Sequence, residues 1–293
     1  MNILITGGTG FVGKALSQAL LDQNHQLTIL TRQKISNTQA VSYCQNLTDF
    51  ANLNQFDAVI NLSGEPIFDK AWSPQQKRIL IDSRIRITQQ LVELIQKSDI
   101  PPHTFISASA TGYYGDLPYS AKNCDEQTAC GNKFTAQLCQ QWEDAALQAQ
   151  SENTRVCLAR TGIVLDKAGG ALKRMLPLYR LGLAGKLGSG KQHWAWISLR
   201  DEIKAILFLL ENQQVQGAFN LVAPQPITNK EFNKLLAKSL KRPAILAVPA
   251  FILKIILGER SQLLLDNQPI IPKKLMSYGF RFQDSDLSYL AKQ

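Results

Sequence analysis

Apolar and polar positions divide the chain into short β-type runs and longer stretches of helical period. Residues 2–6 are a β-rich apolar run, 15–21 repeat their apolar positions at helical spacing, and 27–30 are a second apolar run. These make one βαβ unit of about 30 residues. Residues 58–62, 104–107 and 156–159 read as further buried strands. Between them Ile81, Ile85, Thr88, Val92 and Ile95 alternate spacings of four and three on a helix that ends before Pro101-Pro102, and 134–148 carry another helix. Strands alternating with helices of this length predict an α/β architecture, a doubly wound parallel sheet (Rossmann fold) with helices on both faces.

Past Leu165 the pattern loosens. Gly169, Gly170, Gly182, Gly185, Gly188 and Gly190 predict a loop-rich cover, 205–210 a helix, and 218–222 a strand that returns to the sheet. The remainder reads as a small, mainly helical substrate cap. The expected organisation is a dinucleotide-binding Rossmann domain over 1–165 and a loop-rich and helical cap region over 166–293.

Composition narrows the function classes. With 45% hydrophobic and 19% charged residues among 293, the chain has enough apolar material for a full core. The longest apolar run, 244–257, contains Pro249 and Lys254 and falls short of the roughly 20 residues that span a bilayer, so no membrane partner is expected. The chain enters a strand directly after Met1, without a basic and apolar leader, which predicts a cytoplasmic protein. Cys44, Cys124, Cys130, Cys139 and Cys157 form no CxxC pair, so neither a disulfide framework nor a metal site is expected. The net charge of +9 comes from scattered lysines and arginines, with no run of five or six. That patterning argues against nucleic acid, whereas the field of a basic protein favours an anionic small ligand.

The first strand leads into Gly7-Gly8-Thr9-Gly10-Phe11-Val12-Gly13, which fits both GxGxxG and GxxGxxG. The glycines serve a tight turn, close approach of backbone to a pyrophosphate, and close helix–strand packing, and the pyrophosphate meets the free N–H groups of a helix N-terminus. A strand before the turn and a helix after it support this reading over an ordinary turn. The second strand ends in Thr31-Arg32, with Lys34 beyond. An acidic residue there holds the ribose hydroxyls of NAD, whereas a basic one suits a 2′-phosphate, so the expected cofactor is NADP(H).

Joined to Asn61-Leu62-Ser63-Gly64-Glu65-Pro66 and Ser107-Ala108-Ser109-Ala110-Thr111-Gly112-Tyr113-Tyr114-Gly115, this turn resembles the extended short-chain dehydrogenase/reductase superfamily. The finer similarity is to its epimerase-like branch, the NAD(P)-dependent epimerase/dehydratase family. Ser83-Arg84, the 159–165 run Ala-Arg-Thr-Gly-Ile-Val-Leu, the 194–197 run Trp-Ala-Trp-Ile, Phe219-Asn220-Leu221 and the tail around Pro272-Lys273-Lys274-Leu275 all look like that branch. The resemblance covers essentially the whole chain. It implies that Leu62, Ser63 and Gly64 line the cofactor, that Arg84 and Arg160 reach the cofactor or a bound anion, and that Ser109 orients a substrate. Of Tyr113 and Tyr114, one is expected to serve the chemistry and the other to be core. Trp194 and Trp196 either wall a sugar or base or pack in the core.

One departure limits what the resemblance carries over. The superfamily's YxxxK pair falls on Phe134 and Leu138, and neither side chain can exchange a proton or hold a phenolate. Tyr119 with Lys122 is off by one and sits in a loop setting that does not fix proton-transfer geometry. Two readings stay open: an NADP-dependent oxidoreductase or epimerase of a small polar, nucleotide-sugar-like substrate using Ser109 and Tyr113 or Tyr114, and a non-catalytic protein that senses the NADP/NADPH ratio. A homodimer is left open.

Overall fold

The computed structural model describes residues 1–287 and Tyr289, so the last few positions of the expected 166–293 region lie outside the described residues. The chain opens with β1 (Asn2–Thr6), α1 (Phe11–Asp22), β2 (Gln26–Leu30), β3 (Val41–Cys44), β4 (Ala58–Asn61), α2 (Pro74–Gln96), β5 (Thr104–Ala110), α3 (Phe134–Leu147) and β6 (Arg155–Thr161). It continues through β7 (Ile163–Asp166), α4 (Gly170–Arg180), β8 (His193–Trp194), β9 (Trp196–Ser198), α5 (Leu199–Glu211) and β10 (Gly217–Leu221). The end is mainly helical: β11 (Ile227–Thr228), then α6 (Asn229–Ser239), α7 (Ala250–Leu257), α8 (Gln262–Leu265) and α9 (Lys273–Ser277).

A seven-stranded parallel sheet runs in the order β10-β6-β5-β4-β1-β2-β3. Side chains alternate across its strands, so the two-residue period sends them to two cores. Ile3, Ile5, Ile60, Ile106 and Ala159 pack with Leu16 and Leu20 of α1 and Ile206 and Leu209 of α5. Leu4, Val59, Phe105, Val156 and Leu158 pack on the opposite face with Leu91 and Ile95 of α2 and Ala146 of α3. Both faces are dry, which is why these strands read as unbroken apolar runs.

The sheet therefore has the doubly wound form that the alternation predicts. The short strands β7, β8, β9 and β11 were not read from the sequence, and two further elements depart from that reading. β3, whose pattern VSYC is short and mixed, pairs with β2 at the sheet edge. The glycine-rich stretch after Leu165 contains α4, because Leu172, Leu176 and Tyr179 recur at helical spacing and bury against Phe232 and Leu236 of α6. Its glycines punctuate that helix rather than prevent it: Gly169 caps the start, and Gly182, with φ +70°, follows the end.

Glu202 on α5 is fully buried; its Oε1 accepts from Thr161 Oγ1 at 2.8 Å while Oε2 has no partner among the described residues. Burial pushes its pKa up from 4.5 to about 8, only partly opposed by the Thr161 hydroxyl. The folded chain thus holds a proton that the unfolded chain releases. Stability from this group is full below about pH 4.5 and is lost as pH rises toward 8. Urea unfolding should show a decline on the order of a few kcal/mol across that window. Glu202→Gln should flatten it; equal pH slopes for both proteins would contradict the buried protonated carboxyl.

Candidate functional site

The site begins where β1 gives way to α1, beside the end of β4. Because β1 lies between β2 and β4, this is where the winding direction of the sheet reverses, and a crevice opens at the strands' carboxyl ends. Gly7 has φ +72°, and a Cβ there would stand 2.5 Å from the Leu62 carbonyl oxygen. A Cβ on Gly13 would stand 2.2 Å from the Gly7 oxygen. Both close approaches demand glycine. Gly10 differs: the only atom near its missing Cβ is that same oxygen, at 3.1 Å. No side chain caps the N-terminus of α1, so its first N–H groups face the crevice without a side-chain partner. Phe11 supports the turn from one side, with Gly169 and Gly170 of the α4 entrance laid against its ring, and Val12 packs into the sheet core.

Thr9 Oγ1 lies 3.4 Å from Thr31 Oγ1, which ties the turn to the end of β2. Thr31 is buried, while Arg32 and Lys34 beyond it are exposed. A basic pair therefore stands at the rim beside an anion-ready helix start. Across the crevice, Gly64 gives the Arg84 guanidinium room against the backbone; a Cβ there would come within 2.9 Å of Cζ. Arg84 donates to the carbonyls of Leu80 and Glu65, each at 3.0 Å, and lies 5.3 Å from the Trp142 ring. Burial lowers its pKa. The guanidinium is thus engaged in holding the loop that carries Leu62, Ser63 and Gly64.

The strands' carboxyl ends bear polar side chains on the face that packs α2 and α3. In this face Thr6 donates to Asn61 Oδ1 at 2.6 Å, and Asn61 donates to Thr88 Oγ1 at 2.8 Å. Trp142 donates to the same hydroxyl at 3.0 Å. Further along, Ser109, Arg160 and Asn220 stand opposite one another across β5, β6 and β10. Glu143 on α3 meets them from above. It accepts from Arg160 Nε and Nη2, both at 2.8 Å, and from Ser109 Oγ at 2.6 Å. Arg160 also donates to Tyr114 Oη at 3.0 Å, and Tyr114 donates to Asn220 Oδ1 at 2.6 Å. Burial alone would depress the guanidinium's pKa, but the bonds and charge of Glu143 outweigh it and raise it.

The three candidate hydroxyls occupy different settings. Ser109 is buried and committed to Glu143. Tyr114 is fully buried, and its phenol is pushed up to about 12, chiefly by burial. Tyr113 is half-buried, with its ring 3.5 Å from Arg160 Cζ, and burial raises its pKa. Phe134 and Leu138 form an apolar wall with Trp72 and Leu80, and Lys77 lies over the Phe134 ring at 5.0 Å. Trp194 and Trp196 are core residues, 3% and 2% exposed.

Directly before Phe134, Lys133 opens a feature that the sequence reading missed. Its ammonium is paired with Asp266 and lies 3.3 Å from Asp116, at the edge of a cleft of about 290 Å³. Tyr119, Gln192, Gln262 and Ser189 also line this cleft. Burial raises the Asp266 carboxyl, with Lys133 restraining the rise. No local motif marks Lys133 or Asp266, which are 133 residues apart and meet only through the fold. Glu143 did carry a signal: it is a charge on the buried stripe of α3 defined by Thr135, Cys139, Trp142 and Ala146.

A glycine turn at the switch point, a helix start open to anions and a polar cleft beyond α3 define a nucleotide-binding protein of Rossmann type. The model of the NAD-dependent epimerase/dehydratase family matches residues 3–221, and that of a domain of unknown function, DUF1731, matches 248–290. The chain belongs to the NAD-dependent epimerase/dehydratase family. An epimerase family protein of Mycobacterium leprae is 38% identical over 97% of this chain and 92% of its own length. A structure of the human epimerase family protein SDR39U1 (isoform 2) with NADPH has a TM-score of 0.92 at 32% identity, covering 100% of this chain and 98% of that one. A nucleoside-diphosphate sugar epimerase from Corynebacterium glutamicum has a TM-score of 0.80 at 26% identity, covering 99% of this chain and 57% of that one. Among the described residues no group of His, Cys, Asp or Glu is arranged to hold a metal ion, and all five cysteines are free.

Gly10→Val tests the turn without touching the core, since the Cβ position is open on all sides but one. Calorimetry should show dinucleotide affinity lost by at least about a hundredfold, with the melting temperature shifted by only a few degrees. Retained affinity would place the pyrophosphate elsewhere.

Proposed function

We propose that the chain is an NADP(H)-dependent oxidoreductase or epimerase that acts on a small polar, nucleotide-sugar-like substrate without the usual Tyr–Lys pair. The observation that carries this reading is the cleft beyond the start of α3, where Lys133 and Asp266 put ionisable groups next to the apolar Phe134. In this reading Gly7, Thr9, Gly10, Phe11, Val12 and Gly13 cradle the pyrophosphate, and Thr31 and Arg32 hold the adenosine end with its 2′-phosphate. Leu62, Ser63 and Gly64 line the crevice. The NADPH bound to the human relative supports that choice of cofactor. When bound, NADP(H) supplies or accepts a hydride at its nicotinamide ring.

Arg84 and Arg160 serve as positioning residues, since each guanidinium donates to groups within the protein. Ser109 and Tyr114 likewise fix the network around Glu143. Tyr113, half-buried against Arg160, and the Lys133–Asp266 pair at the cleft are left to hold and move a proton. Phe134 and Leu138, packed with Trp72 and Leu80, make an apolar wall at the start of α3. The apolar nature of that wall favours the second reading, a protein that binds NADP(H) as a sensor.

Stopped-flow oxidation of bound NADPH against carbonyl compounds and nucleotide sugars separates the two. With a substrate found, Tyr113→Phe or Lys133→Met should lower turnover on the order of a hundredfold with NADPH affinity nearly unchanged. If both variants turn over normally, the proton assignment fails; tight NADPH binding with no oxidation by any compound tested favours the sensor.

A further inference from the structure

α7 reads Ala-Phe-Ile-Leu-Lys-Ile-Ile-Leu, yet only Leu253 of its residues is buried. Phe251, Ile255 and Ile256 are 64%, 78% and 67% exposed. The segment leading into the helix runs beside the one that follows α4: Gly182 lies against Pro243, Gly185 against the Leu246 backbone, and Leu187 bridges to Val248. Exposed Leu181, Leu183 and Ile245 therefore border the helix and extend its apolar surface. A concentration of large apolar side chains in water marks a docking face.

Charge identifies what docks. Residues 178–186 and 241–257 contain Arg180, Lys186, Lys241, Arg242 and Lys254 and no Asp or Glu. All five are exposed, and none takes part in a salt bridge among the described residues. Glu259, the next acid along the chain, is paired with Lys77. A second copy of a chain with net charge +9 would set these cations against their own kind, which disfavours self-association. A helix with an apolar outer side and cations around it instead matches the boundary of an anionic bilayer: the apolar side chains enter the acyl edge while lysine stems reach up to the phosphates.

We propose that α7 and its border form a peripheral docking site for an anionic lipid bilayer. The site spans nothing, in keeping with the absence among the described residues of any helix long and apolar enough to cross a membrane. It contains none of the glycine-turn residues, while Ala250 and Lys254 of α7 also line the Lys133–Asp266 cleft.

Flotation of the full chain with phosphatidylcholine vesicles, with and without phosphatidylglycerol, tests the proposal directly. Binding should be at least about tenfold stronger with phosphatidylglycerol and should weaken with added salt. The triple variant Phe251→Ser, Ile255→Ser, Ile256→Ser should lose at least about tenfold in binding, with unchanged circular dichroism and NADPH affinity. Lys241→Glu with Arg242→Glu, which leaves the apolar face intact, should abolish the preference for phosphatidylglycerol. No binding to anionic vesicles, or equal binding by the triple variant, would overturn the proposal. So would a wild-type dimer in sedimentation that the triple variant dissociates, since a second copy would then cover the face.

Discussion

The backbone of Gly7 passes so close to the Leu62 carbonyl that no side chain fits between β1 and the end of β4. That approach sets the crevice. It brings the turn, the start of α1 and the Leu62–Gly64 loop to one place, and Gly13 adds the same constraint between the turn and the helix. Around this contact the sheet needs two dry faces, which the strict alternation of β1, β4, β5 and β6 supplies. The winding reversal at β1 then leaves the carboxyl ends open, so the same packing that stabilises the fold also positions the candidate site.

A second constraint acts on the α3 side. Arg160 and Glu143 are both about 5% exposed, and an uncompensated charge in that setting would cost several kcal/mol. The pair is tolerated because nearby polar groups complete its hydrogen bonding: Ser109 and Tyr114 bond to it directly, and Asn220 accepts from Tyr114. Ser109, Tyr114 and Arg160 are thereby committed to the interior, whereas Tyr113 stays half-buried and Lys133 with Asp266 stands at the cleft.

Much of this was legible from the sequence because the signals were periodic or positional. The parallel sheet followed from apolar runs alternating with helical periods, and the glycine turn lay between a strand and a helix as its motif requires. β3 escaped because VSYC at a sheet edge has too little apolar content to stand out. α4 escaped because glycines at its ends drew attention away from Leu172, Leu176 and Tyr179 within it. The surroundings of Arg84 and Arg160 were harder to read, since a basic residue looks the same in sequence whether it meets a phosphate, a loop carbonyl as Arg84 on α2 does, or a carboxylate brought by another helix as Arg160 does. Lys133 and Asp266 were invisible for the same reason: their proximity belongs to the fold, not to any spacing.

Selection of NADP(H) by the turn and its basic rim is the central proposal. Calorimetric titration of the chain with NADPH and with NADH, repeated on Arg32→Asp, tests it. NADPH should bind tighter by roughly tenfold or more, about 1.4 kcal/mol, with the gap narrowed or reversed in the variant. Equal affinity of the unaltered chain for both dinucleotides, or a gap untouched by the substitution, would contradict it.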